Sequence, residues 1–186
     1  MVEWRPSMTD SREAAPPSPF IANWAVRLAT MFPHGRALDV AAGRGRHSLA
    51  LAAAGFRVTA VDLQFDALMS ARASATARGL SIACVCADCT QFPLPRHRFH
   101  VVVVTRYLDR ALFPALLDTL VPGGVLLYET FTEHQLRYDK GPRSRAHLLA
   151  PGELRLRLRD TDVLFDEEVM APDAVARIAA RTRQAR

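Results

Sequence analysis

The chain of 186 residues contains three cysteines and a single lysine, Lys140. Cys84, Cys86 and Cys89 form a C-x-C-x-x-C group, one ligand short of the four a structural zinc ion takes, and His97 or His100 is too distant along the chain to complete it. We therefore expect no metal, and read these cysteines as core residues of an apolar run, with no disulfide framework. Missing too is any run of about 18 apolar residues, which excludes a helix spanning a membrane. Residues 1–19 hold Glu3, Asp10 and Glu13 among prolines and lack a signal peptide's apolar centre, so a cytoplasmic location is expected.

What is present is enough apolar material for one packed domain. Hydrophobic residues make up 49% of the chain, at a mean hydropathy of +0.02. At this length a chain buries roughly two thirds or more of its unfolded surface. The net charge is +5, carried almost wholly by arginine and concentrated late, from Arg137, Arg143 and Arg145 through Arg155, Arg157 and Arg159 to Arg177, Arg181, Arg183 and Arg186. Such a balance raises nucleic acid as a partner, but solvated surface is the favoured reading.

Function is written most densely in Ala37-Leu38-Asp39-Val40-Ala41-Ala42-Gly43-Arg44-Gly45-Arg46-His47, followed by Val58-Thr59-Ala60-Val61-Asp62. This reads as a buried strand, a glycine turn, a helix and a second strand ending in a carboxylate. Gly43 and Gly45 allow a tight turn and close approach to a ligand, at which the following helix points its free amides. An acidic residue closing the second strand suits the hydroxyls of a ribose. A dinucleotide fingerprint would place a third glycine where Ser48 stands, and Asp39 before the turn would repel a pyrophosphate. The same carboxylate would attract a sulfonium and an amine, which favours S-adenosylmethionine over NAD.

Later positions agree in order. Asp62 falls 23 residues after Asp39, Ile82 to Cys86 runs into Ala87-Asp88-Cys89, His100 to Val104 is a continuous apolar run ending in Thr105-Arg106-Tyr107, and Val121-Pro122-Gly123-Gly124 precedes another apolar strand. LDVAAGRGRH resembles the first motif of the class I S-adenosylmethionine-dependent methyltransferases, and the PGG turn resembles the one before their fifth strand. GRGRHSLALAAAGFRVTAVD, HLLAPGEL and VLFDEEV are similar to the tellurite-resistance-type small-molecule methyltransferases within that family. The likeness covers roughly residues 18–182, strongly in the first motif and weakly after 130.

Reading the chain in order, residues 1–17 form a flexible leader, 18–182 one methyltransferase domain and 183–186 a tail. Ser18-Pro19 opens a helix carrying Ile21, Trp24, Leu28 and Phe32 at helical spacing, which would close one side of the cofactor pocket or merely cover the sheet. Helices follow over 46–54, 65–78 and 111–120, with a loop at 91–98. Residues 131–150 lack periodicity, a length that points to function. A short helix opens near Pro151-Gly152, and 161–169 pairs with 174–181 as a hairpin. The expectation is a single-domain α/β protein: a Rossmann-like doubly wound sheet, mostly parallel, whose last strand the resemblance makes antiparallel.

The resemblance implies roles. Asp39 meets the sulfonium side or methionine amine, Gly43 and Gly45 offer backbone with Ala41 and Arg44 beside them, and Asp62 with Leu63 takes the ribose. Asp88 holds the adenine amine with Cys89 next to it, and Thr105 and Arg106 contact the methionine portion. On the acceptor side stand Tyr107, Glu129, Arg143 and His147, with Tyr107, Arg143 and His147 as the catalytic candidates. The bland alternatives are turn or capping roles for the aspartates and surface roles for Arg143 and His147. An N-P-P-Y signature of amino-directed nucleic-acid methyltransferases is absent after the fourth strand, where Thr105-Arg106-Tyr107-Leu108 stands. The expected enzyme methylates a small-molecule acceptor as a monomer or homodimer, with a nucleic-acid acceptor disfavoured. Its rivals are a binder of S-adenosylmethionine without turnover, an RNA-directed methyltransferase and an NAD-binding oxidoreductase.

Overall fold

A computed structural model describes residues 15–183. Most of the leader expected over 1–17, and residues 184–186 of the tail, lie outside the described residues. β1 (Arg36–Val40), β2 (Arg57–Asp62), β3 (Ile82–Cys86), β4 (Phe99–Thr105) and β5 (Leu120–Phe131) are parallel, and the hairpin β6 (Asp162–Val169) and β7 (Val175–Arg181) completes one seven-stranded sheet. The order is β3-β2-β1-β4-β5-β7-β6, with β7 antiparallel to both neighbours. β1 lies at the centre of the winding, so the sheet reverses direction where the glycine turn emerges, the position at which such sheets bind ligands.

Helices cover both faces because β4 is apolar on both. Val101 and Val103 pack with α1 (Pro19–Met31), α2 (Arg46–Ala53) and α3 (Phe65–Ala77), through Ile21, Trp24, Leu28, Leu49, Leu51, Ala71 and Ala75. Val102 and Val104 share a core with Leu116 of α4 (Phe113–Asp118), Leu154 of α5 (Glu153–Arg157) and Tyr128 of β5. All four valines are fully buried, each worth roughly 1.5–3 kcal/mol relative to exposure. Such continuous burial is what a parallel strand covered on both sides requires.

Several expectations need correcting. The PGG segment does not precede β5: the strand already pairs at Leu120 with Phe99, and the glycines sit within it, at a register shift before Val101 meets Val125. That early pairing also cuts short the helix expected over 111–120, while Asp109 accepts the Ala111 amide ahead of α4. The cysteines do not share one core. β3 is an edge strand, which leaves Cys86 exposed and Cys84 and Cys89 half-buried, all three as free thiols. Ser18 occupies the helix-capping position, yet its side chain makes no cap; it reaches Glu129 instead.

Candidate active site

The turn after β1 departs from ordinary backbone at three places. Ala41, Gly43 and Gly45 have φ of +54°, +54° and +77°. For Ala41 this left-handed conformation is costly, and such strain collects at binding sites. A Cβ on Gly45 would lie 2.6 Å from the Ala71 Cβ, so glycine here lets α3 approach the turn. At Gly43 a Cβ would meet nothing within 4 Å, leaving an open cradle above the backbone.

Asp62, at the end of β2, binds this turn from the side. Its Oδ2 accepts the Gly43 N–H at 2.7 Å and its Oδ1 accepts the Gln64 N–H at 2.8 Å. Each oxygen keeps a further acceptor site, so a structural role leaves room for a diol. Leu63 beside it is 69% exposed, an apolar platform at the strand end.

Asp39 is fully buried, and the Ser48 hydroxyl donates to its Oδ2 at 2.6 Å. Ser48, standing where a dinucleotide fold has glycine, thereby holds the carboxylate. The other oxygen, Oδ1, is buried with no hydrogen-bond partner among the described residues. Burial pushes the Asp39 carboxyl up to about 6, against the pull of the Ser48 hydrogen bonds. An orphaned buried acceptor of this kind is complementary to an ammonium or sulfonium.

Asp88 turns onto its own loop. It accepts from the Thr90 amide at 2.9 Å, the Thr90 hydroxyl at 2.7 Å and Gln91 Nε2 at 3.2 Å, and the Thr90 bonds hold its carboxyl below the usual range. Burial, reinforced by the charges of Asp62 and Asp88, pushes the neighbouring Cys89 thiol up to about 11.

At the ends of β4 and β5 lies a buried polar chain that the sequence reading missed. The Ser18 amide donates to His47 Nε2 at 3.2 Å, and His47 Nδ1 lies 2.9 Å from the Thr105 hydroxyl. Ser18 Oγ donates to Glu129 Oε2 at 2.8 Å, as does Arg177 Nε at 2.7 Å. Thr105, Glu129, Arg177 and Glu167 form one cross-strand row over β4, β5, β7 and β6. Burial, followed by the charges of Arg46 and Arg106, depresses the His47 imidazole to about 3, so it is neutral at physiological pH. The available signal was His47-Ser48, two polar residues set directly before the apolar Leu49 and Leu51 of α2.

Around this chain the cations are unequal. Arg106, at φ +53°, donates to Asp173 at 3.3 Å and lies over the Phe131 ring. Half-buried Arg46 makes no ion pair or side-chain hydrogen bond among the described residues; burial and then Arg106 lower its pKa. Arg44 is exposed at the turn.

The acceptor-side candidates are scattered. Tyr107 is half-buried, its carbonyl accepting from the Tyr128 hydroxyl at 2.9 Å, and burial raises its phenol. Arg143 is exposed and bonds to Leu136 O at 3.2 Å and Asp139 at 3.3 Å within its own loop. His147 is exposed at the end of a 3₁₀ turn. The long connection itself is firmly held: fully buried Gln135 donates to Lys140 O at 2.9 Å and accepts from the Ala174 amide at 2.7 Å. Arg110 binds Ala146 O, Leu148 O and Glu153, bringing the Glu153 carboxyl down to about 2.

Comparison with known proteins fits this geometry. Residues 37–124 match a family described as a methyltransferase domain. No curated protein matches the chain. Among solved structures, TehB from Haemophilus influenzae superimposes with a TM-score of 0.72 at 19% identity, over 87% of this chain and 62% of that one. This chain thus spans less than two thirds of TehB. A methyltransferase from Methanosarcina mazei gives a TM-score of 0.70 at 18% identity over 92% of this chain and all of its own. One from Clostridium acetobutylicum gives 0.71 at 14% identity, over 88% of this chain and 91% of its own. At these identities the shared property is the fold, and the stretch from Ala37 to Gly124, which carries the glycine turn and the strands beside it, is the part of the chain similar to a methyltransferase domain.

Proposed function

We propose that the enzyme transfers the methyl group of S-adenosylmethionine, by in-line displacement, to a small-molecule nucleophile. The observation that carries this reading is the buried Asp39 Oδ1, at the end of β1 just before the glycine turn, which has no hydrogen-bond partner among the described residues. It asks for a cationic donor and disfavours a dinucleotide. In this reading Asp39 holds the methionine ammonium, Asp62 the ribose hydroxyls above Gly43, and Leu63 covers the base, with Asp88 and Cys89 at its far edge. When bound, the cofactor supplies a methyl carbon already activated by its sulfonium, so the chain has to align a nucleophile rather than furnish a strong base.

A small acceptor fits a chain with no inserted segment between β1 and β5 large enough to form a second domain, so we take 18–182 as one domain. A free basic stripe for nucleic acid is disfavoured by local pairing: Lys140, Arg143, Arg155, Arg157, Arg159, Arg177 and Arg181 all face carboxylates of this chain. Of the three catalytic candidates Tyr107 lies nearest a strand end in sequence, just after β4, while Arg143 and His147 are exposed on the connection after β5. Among the described residues no helix is long and apolar enough to cross a membrane. Three free thiols suit a reducing, cytoplasmic setting.

Calorimetric titration with S-adenosylhomocysteine tests the cofactor roles. Binding is expected in the parent, with a loss of roughly 1.5–3 kcal/mol in Asp62→Ala, the scale of hydrogen bonds to a charged group. Equal affinity in both would sink the ribose assignment. Saturable NADH binding without response to S-adenosylhomocysteine would overturn the cofactor, and a broad acceptor panel left unlabelled by tritiated methyl would overturn turnover.

A further inference from the structure

The hydrogen-bond chain through His47 has a forced direction. Ser18 contributes a backbone N–H, which can only donate, so His47 Nε2 must be the bare, accepting nitrogen. A neutral imidazole carries its proton on the other nitrogen, so Nδ1–H donates to the Thr105 oxygen 2.9 Å away. The Thr105 hydrogen is then left without an acceptor among the described residues, although the residue is only 8% exposed. Its side chain lies on the same sheet face as Asp39, since Asp39 registers with Val103 and Thr105 follows two residues later. Among the described residues the strand ends therefore present an acceptor at Asp39 Oδ1 and a donor at Thr105 that have no partner, with Arg46, which forms no ion pair among them, following the same turn. An ammonium and a carboxylate borne on one carbon match that arrangement.

We propose that His47 is a positioning residue that locks the Thr105 hydroxyl as a hydrogen-bond donor to the carboxylate of the cofactor's amino-acid arm, with Arg46 as the accompanying charge. This rests on the cofactor reading above, and adds to it the group that receives the carboxylate and the residue that orients it. Ser18 is the anchor: by docking the start of α1 on His47 it fixes which ring nitrogen carries the proton. The imidazole itself touches no ligand.

Two measurements on the full chain test this. Histidine-selective ¹⁵N NMR, with His47 assigned from the signal missing in His47→Leu, is expected to show Nδ1 protonated and Nε2 bare. A proton on Nε2 would overturn the direction of the chain whether or not any ligand binds. The second compares S-adenosylhomocysteine with 5′-methylthioadenosine, which lacks the amino-acid arm. Thr105→Val and His47→Leu are each expected to weaken the first about tenfold and leave the second unchanged, with Thr105→Ser restoring it. Equal losses for both ligands would reduce His47 and Thr105 to structural roles, and no loss for either would remove them from the site. Failure of the parent to bind S-adenosylhomocysteine would fell the cofactor reading itself, leaving the NMR result to stand apart.

Discussion

At the scale of single residues, Asp39 sets stability against binding. Its carboxyl is raised from 3.8 to about 6, because burial disfavours the charged form. At roughly 1.36 kcal/mol per unit that is about 3 kcal/mol of folding free energy. The sign follows from the raised value: the folded state prefers the proton, so this contribution is fully present below about pH 4 and is lost as pH rises through 6. Asp39→Asn removes the loss, since its carbonyl can still accept from Ser48. Urea unfolding of the ligand-free variant should match the parent near pH 3 and exceed it near pH 7.5. Parent affinity for S-adenosylhomocysteine should climb as pH passes 6, whereas the variant's should stay low and flat. A parent affinity independent of pH would remove Asp39 from contact with the ligand. The sequence revealed this carboxylate but not its orphaned oxygen, because only burial separates a satisfied aspartate from one awaiting a ligand.

At the scale of elements, the two turn glycines do different work. Gly43→Ala meets open space and pays for its left-handed backbone alone, about 1–2 kcal/mol, yet it fills the cradle above Asp62. Gly45→Ala adds a collision between α2's start and Ala71 of α3 at 2.6 Å, so its cost should reach about 2–4 kcal/mol. Denaturant midpoints should rank Gly45→Ala well below Gly43→Ala, with ligand affinity suffering out of proportion to stability in Gly43→Ala. Equal midpoints would contradict the close packing of α3. Turn, strands and both flanking helices could be read from the residues because glycine, apolar runs and a terminal aspartate are local signals. The His47 chain could not, because Ser18, His47, Thr105 and Glu129 meet only after α1 docks across the sheet ends.

On the scale of the whole molecule, the winding was legible and the electrostatics was not. The runs Ala37–Val40, Val58–Val61 and Val101–Val104, interrupted only by Asp39 and Thr59, read as strands covered on both faces and point to the doubly wound sheet. Nothing local says that Arg110 clasps Glu153, or that Gln135 is buried to hold the connection after β5. The surplus of arginine likewise looks like a ligand-binding surface until its partners are found across β6, β7 and α5. The two borders of the sheet carry a last consequence. β6 ends the sheet with Asp162, Asp166, Glu167 and Glu168 along its length, so a second chain seeking to extend the ladder there meets repulsion. β3 ends it as Ile-Ala-Cys-Val-Cys without one charge, with no strand beyond it among the described residues and Cys86 exposed. Self-association under heat or oxidation should therefore begin at β3, and Cys86→Lys should slow the growth of light scattering more than a lysine at any site on β6.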